Sequence, residues 1–148
     1  MPRDSFKHSS ITPVARDLAW QSLDVPATWE GIGGVDRVVN AVIDDQGRLQ
    51  GFTFITTIGG SSYRGTARAK ERVEGRRMGW AINSSEVKGA ITIDLDDHER
   101  GTMVEATIDL ESVGVLSSLF FPVIAGALGS GLSGAVDSFA AGLGGERI

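Results

Sequence analysis

Residues 116–143 read LSSLFFPVIAGALGSGLSGAVDSFAAGL, and the reading of this stretch decides the fold. From Leu116 to Val136 there is no charged residue, and afterwards only Asp137 interrupts the run. A membrane span, a phosphate-binding glycine loop and a long amphipathic helix lying on a sheet all compete for it. The length suffices for a span, since about 20 apolar residues cross a bilayer. The composition argues otherwise: Gly126, Gly129, Gly131, Gly134, Ser117, Ser118, Ser130 and Ser133 dilute the run, and basic flanking anchors are nearly absent.

The segment from Gly129 to Gly134 matches G-x-G-x-x-G, but only fourteen residues follow it. That is too short for the strand–helix–strand unit and distant acidic residue that dinucleotide binding needs. The helix reading explains more. Leu116, Leu119, Phe120, Val123, Ala127, Leu128, Leu132, Ala135, Val136, Phe139 and Leu143 recur at three- and four-residue steps. Ser118, Ser133, Asp137 and Ser138 take the other side. Each interior glycine costs about 1 kcal/mol relative to alanine, so close packing on a sheet has to hold such a helix. Pro122 kinks its first turns or marks its start.

The rest of the chain supplies a sheet to pack on. At 148 residues, with 41% hydrophobic and 22% charged content, it reads as one globular domain spanning residues 1–148. A net charge of −5 gives no support to nucleic-acid binding. The absence of cysteine excludes disulfides, thiol catalysis and Cys-ligated metals. The start, MPRDSFKHSS, has no apolar core of a signal peptide, so a cytoplasmic location is the default expectation.

In chain order, residues 4–11 form a candidate first strand. Thr12-Pro13 then reads as a helix start, a hydroxyl cap before a proline, with the helix running to Leu23. Val25-Pro26 opens a second short helical piece ending near Trp29, stopped by Gly31, Gly33 and Gly34. Six strands in an antiparallel meander follow over 35–43, 49–58, 62–73, 76–82, 87–95 and 102–110, separated by Gly-, Asp- and Ser-rich turns. Val87, Gly89, Ile91, Ile93 and Leu95 alternate with polar residues, as do Val104, Ala106, Ile108 and Leu110. By the same parity Tyr63, Gly65, Ala67 and Ala69 face inward, and Arg64, Arg68, Lys70 and Arg72 face outward toward Asp94, Glu105 and Asp109. One sheet face is thus wet and the other buried.

Gly65, Ala67, Ala69, Gly89 and Ala106 are small where a packed sheet would carry Val or Leu. The space either admits the glycine-rich helix or forms a cavity. In the second case Tyr63, Met78, Trp80, Ile91, Val104, Phe120, Val123 and Ala127 line it together with Gly65, Ala67, Ala69 and Ala106, and the Tyr63 hydroxyl orients a polar ligand end. Trp80 reads equally as plain core.

No catalytic or metal residues are assigned. His98 in Asp96-Asp97-His98-Glu99 sits on a hairpin tip without zinc or calcium spacing. His8 reads as a surface strand residue. No Gly-x-Ser-x-Gly elbow exists; Glu71 and Glu86 are the acid/base candidates, and parity turns Glu71 inward, although a solvated place at the strand end is the ordinary one for a glutamate.

The order of strand, two short helices, six-strand meander and long C-terminal helix resembles the helix-grip proteins of the START/polyketide-cyclase-like (SRPBCC) superfamily. Three pieces carry the resemblance: residues 15–24 with Pro26 and Trp29, the Gly101-Thr102-Met103-Val104 strand entry, and the segment from Gly114 through Pro122. It implies an α+β fold, a curved antiparallel sheet wrapped around the C-terminal helix, with an apolar cavity for a lipid-like or polycyclic ligand. The glycine-rich tail is similar to the carbon-monoxide-dehydrogenase G-type branch, which is linked to membranes and quinones. The expected function is therefore binding or carrying a lipid, quinone or polyketide-like molecule without a cofactor. A cyclase/dehydratase-type enzyme and a membrane-docking accessory protein with peripheral membrane contact are the alternatives.

If the C-terminal segment covers the inner sheet face, each large apolar side chain it buries stabilises by about 1.5–3 kcal/mol. A chain truncated after Glu111 is expected to aggregate or remain unfolded. A cooperative thermal transition of that truncated chain, followed by circular dichroism, would contradict the arrangement.

Overall fold

The protein, a computed structural model, is described over residues 3–25, 29, 35–58, 61–84, 87–112, 136, 137 and 140. Its elements are β1 (Arg3–Thr12), α1 (Arg16–Ser22), β2 (Val35–Ile43), β3 (Leu49–Ile58), β4 (Ser61–Val73), β5 (Arg77–Ser84), β6 (Val87–His98) and β7 (Gly101–Ser112). The seven strands form one antiparallel sheet of order β1-β7-β6-β5-β4-β3-β2. The first strand thus pairs with the last, and the meander fills the space between them.

Two-residue alternation sorts the strands into an inner and an outer face. On β7, Thr102, Val104, Ala106, Ile108, Leu110 and Ser112 are buried, and the residues between them retain contact with water. Across β6 the register sets Ile91 against Ile108, Ile93 against Ala106 and Leu95 against Val104. The pairing carries on to His98 and Gly101, so both strands run past the ends expected at 95 and 102. Only Glu99 and Arg100 remain for the turn.

β1 likewise runs one residue further than expected. Thr12 pairs with Thr102 and therefore does not cap a helix. The Thr102 hydroxyl donates to the Val14 carbonyl at 2.8 Å, holding the chain as it leaves the strand. Pro13 crosses directly over Gly101, where a Cβ would lie 2.7 Å from the Pro13 Cα. Gly101 also has φ +133°, a backbone conformation that side chains disfavour. The helix begins only at Arg16, after Ala15, which offers no side-chain cap.

α1 buries Ala19 and Trp20 and packs on β6 and β7. The second short helical piece lies outside the described residues apart from the buried Trp29. The segment expected to form a long C-terminal helix also falls outside them, except for Val136, Asp137 and Ala140. These three are helical, and Val136 and Ala140 are buried. Among the described residues no helix is long and apolar enough to cross a membrane.

The core centres on three rings. Trp80 meets Trp29 edge-on at 5.3 Å and Phe52 at 5.5 Å, and Trp29 lies 6.0 Å from Phe52. Such pairs add to the stabilisation from burial alone. The β2–β3 turn is built by Asp44, whose carboxylate accepts the backbone N–H groups of Arg48 and Gln46 and the Gln50 side-chain amide. The Arg48 N–H, more than any other contact, holds that carboxyl below the usual range.

Strict alternation fails in β4. Ala69 pairs with Trp80 and Glu71 with Gly79, so the ladder shifts register between them. Beyond the bulge Arg72 turns inward and its guanidinium lies 2.8 Å from Asp24. Their side chains are only 14% and 17% exposed. Arg72 also stacks over Trp20 at 5.5 Å, and Asp24 accepts the Leu49 N–H at 3.1 Å.

Removing Asp24 leaves Arg72 largely buried without its closest partner and orphans the Leu49 N–H. Asp24→Ala is expected to cost about 2–4 kcal/mol in urea unfolding. The double variant Asp24→Ala/Arg72→Met should lose clearly less than the two single losses added together, because it leaves no uncompensated charge.

Candidate functional site

The small and aromatic residues singled out in the sequence share the inner face but differ in how they are filled. Gly65 is not open. A Cβ there would run into the Phe54 ring from β3 and lie 2.8 Å from the Asn83 carbonyl oxygen. Gly89 is small for a different reason: a Cβ there would collide with the backbone of Asp109 on β7. Neither glycine contributes empty space. Ala67, Met78, Trp80, Val104 and Ala106 are buried in the core cluster.

A second group on the same face is not fully covered. Tyr63, Phe54, Ala69 and Ile91 are half-buried, although Ala69 and Ile91 flank the fully buried Trp80 in the ladder. Phe54, Ala69 and Ile91 are partly buried and pack against the core. Phe6 on β1 and Val38 on β2 have the same status. On the inner face half-buried apolar residues are therefore interleaved with fully buried ones. Phe120, Val123 and Ala127 lie outside the described residues.

A depression of about 620 Å³ adjoins β3, β4 and β5. Its lining is mostly outward-facing, including Asn40, Gln50, Thr66, Arg68, Lys70 and Asn83, so it is a surface groove and not the expected interior cavity. Arg64, Arg68 and Lys70 stay on the wet face as expected, and Arg72 does not. The carboxylates expected opposite them have other partners. Asp94 pairs with Arg77, Glu105 with Lys7, and Asp109 accepts the Ser5 hydroxyl.

The bulge that brings Arg72 in also sends Glu71 out. Glu71 is exposed and pairs with Arg77 at 3.5 Å, which removes it from the inner face. His98 is at its hairpin tip, where its Nδ1 accepts the Arg100 N–H. Among the described residues no group of His, Asp and Glu could hold a metal ion.

His8 is a correction in the other direction. It is no simple surface residue, because its Nε2 lies 3.0 Å from the Asp137 carboxylate, with the two side chains 31% and 28% exposed. The buried Ser10 donates its hydroxyl to the same carboxylate. His8 and Ser10 alternate inward on the edge strand, and Asp137 is the one charge in residues 113–143. The pairing bridges 129 positions, a distance over which no local pattern gives a signal. The arrangement is not that of a nucleophilic triad, since serine and histidine both address the carboxylate and not each other.

No family model matches this sequence, and no curated protein matches it. Solved structures do. A START superfamily protein from Mycobacterium smegmatis is 12% identical over 95% of this chain and 98% of its own, with a TM-score of 0.71. The Zhui aromatase/cyclase from a Streptomyces species is 13% identical over 95% and 94%, at 0.72. A Thermus thermophilus protein is 12% identical over 96% and 97%, at 0.73. At these identities the likeness is one of fold.

The Asp137 contacts carry a stability prediction. Asp137→Ala leaves the buried Ser10 hydroxyl without this acceptor and should cost about 1–2 kcal/mol. Hydrogen exchange should show the loss at the backbone amides of β1. Unchanged protection there would contradict a structural role for the contact.

Proposed function

We propose that this chain, whose fold is that of the START/polyketide-cyclase-like (SRPBCC) superfamily, binds a hydrophobic small molecule against the inner face of its sheet. The observation that carries the reading is that Phe54, Tyr63, Ala69 and Ile91 on the inner face keep partial access among fully buried neighbours. Covering about 300 Å² of apolar surface is worth about 7 kcal/mol before the cost of association is subtracted, enough for useful affinity. Lipids, quinones and polycyclic, polyketide-like molecules fit that chemistry. The ligand lies against the inner face of the sheet, and Phe120, Val123 and Ala127, outside the described residues, are the further contacts that the sequence pattern proposes. We place the protein in the cytoplasm. The narrower likeness to the carbon-monoxide-dehydrogenase G-type branch, and with it a peripheral membrane contact, rests on the glycine-rich tail.

A second reading, a cyclase- or dehydratase-type enzyme using the same space, is favoured by the His8–Asp137 pair, which can hold and move a proton. Position weighs against it. His8 on β1 is four strands from Tyr63 on β4, about 19 Å along the sheet at 4.8 Å per strand. Among the described residues no histidine or carboxylate lies beside Tyr63 on the inner face, since Glu71 points out.

Two neighbouring alanines on β4 test the binding reading. Ala67 is enclosed by the core, so Ala67→Leu overpacks it and should cost about 1–3 kcal/mol. Ala69 is only half-buried, so Ala69→Leu should leave the unfolding midpoint nearly unchanged while weakening uptake of a hydrophobic fluorescent probe. Loss of stability in Ala69→Leu with unaltered probe binding would mean a filled interior and would remove the main support for a ligand site.

A further inference from the structure

We infer that the outer face of the sheet over β2, β3 and β4 is a docking surface for a lipid bilayer bearing anionic headgroups. The surface lies on the opposite side of the sheet from the ligand site, and only the choice of a bilayer as partner rests on the binding reading proposed above.

Charge singles this face out. Paired residues on neighbouring strands share a face, so Arg37, Ile55 and Arg64 form one row across β2, β3 and β4, and Val42, Gly51 and Arg68 form another. Lys70 lines the same surface groove as Arg68. Arg37, Arg64, Arg68 and Lys70 are all exposed, and none has an ion-pair partner among the described residues. Glu71, the next residue of β4, is held by Arg77, and Asp44, just after β2, is engaged by its own turn. The other end of the same face is balanced. Asp94 pairs with Arg77, Glu105 with Lys7, and Glu111 with Arg3 and Lys88. A cluster of unmatched cations in a chain of net charge −5 does not follow from its composition. It is a local field that attracts an anionic partner.

The spacing of the cations selects the kind of partner. Arg64 and Arg68 stand about 13 Å apart along β4, and Arg37 is about 10 Å from Arg64 across two strands. One small anion cannot meet charges so spread, whereas an extended anionic surface meets them together. Single-stranded nucleic acid needs rings on which its bases stack, and Phe52, Phe54, Tyr63 and Trp80 share the inner parity of Ala67. Apolar groups lie among the cations: Val42 is 59% exposed, and the half-buried Ile55 sits in the row between Arg37 and Arg64. Cations interleaved with aliphatic side chains suit the headgroup region, where charge meets the first apolar layer. Asn40, Gln50, Thr66 and Asn83 line the groove of about 620 Å³ with Arg68 and Lys70, and they supply donors for the phosphate oxygens of one headgroup. A cargo apolar enough for the inner face partitions into bilayers and out of water, so a carrier meets it there.

The test is co-sedimentation of the full chain with vesicles of phosphatidylcholine alone, or of phosphatidylcholine and phosphatidylglycerol in equal parts. Binding should require phosphatidylglycerol and vanish in about 1 M salt, where the screening length falls to about 3 Å. Each cation at an anionic surface contributes about fivefold to partitioning, so Arg64→Gln/Arg68→Gln/Lys70→Gln should bind about a hundredfold more weakly. Arg3→Gln/Lys7→Gln/Lys88→Gln removes the same charge from the balanced end and should bind nearly as the unaltered chain does. All six residues are exposed. Should a triple variant fail to fold, Arg68→Gln and Lys7→Gln make the same comparison, with about fivefold loss expected in the first alone. Equal losses at the two ends would overturn the assigned face. Equal binding to both vesicles, or to neither, would overturn the anionic bilayer as partner, and capture of poly-glutamate in place of vesicles would do so in favour of an acidic protein. Uptake of a hydrophobic fluorescent probe without vesicles reports the ligand reading separately. Its failure beside intact vesicle binding would overturn that reading and leave the docking surface standing.

Discussion

One register shift in β4 governs how the two halves of the inner face are used. Up to Ala69 the strand presents small residues to the interior, and an unbroken ladder would have continued with Glu71. The shift sends Glu71 to solvent and Arg72 inward, where Asp24, the Trp20 face and Glu74 receive it. Asp24 in turn holds the Leu49 N–H, so the chain after α1 is tied to β3 and β4 by the same group. A charge pair so little exposed is tolerable only with its remaining hydrogen bonds made, and here several are. The polar requirements of that end of the sheet are met there, and the ladder neighbours of Trp80, Ala69 and Ile91, are left apolar.

The architecture was legible in the sequence wherever one periodicity held without interruption. Val87 to Leu95 and Val104 to Leu110 alternate cleanly, and both lie on the strands and faces that the pattern dictates. β2 and β3 begin and end where the turn residues place them. The pattern failed where long-range pairing overrode a local signal. Thr12-Pro13 has the chemistry of a helix start, but Thr12 is claimed by Thr102, ninety positions away in the ladder. The β4 bulge leaves no mark in residue type, so parity counted from Tyr63 misassigned Glu71 and Arg72 together.

The candidate site was legible to a similar depth. Tyr63, Ala67, Ala69, Met78, Trp80, Ile91, Val104 and Ala106 do share one face. Which of them are enclosed and which are accessible depends on partners from other strands. The Phe54 ring fills the space over Gly65, and Trp29 and Phe52 pack on Trp80. His8 could not be connected with Asp137 from spacing, because the contact exists only once β1 has paired with β7 and the C-terminal residues have docked. A fold of this kind supports many chemistries, and the proposed choice between binding and turnover rests on the half-buried apolar residues of the inner face, with the carboxylate–histidine pair four strands from Tyr63.

The central claim is that an apolar molecule occupies the inner face. Native mass spectrometry of the protein purified without detergent, before and after incubation with a total lipid extract, addresses it directly. A mass increment of one bound molecule that survives transfer to the gas phase and is recovered in organic solvent is the predicted result. The bare chain mass under both conditions would contradict it.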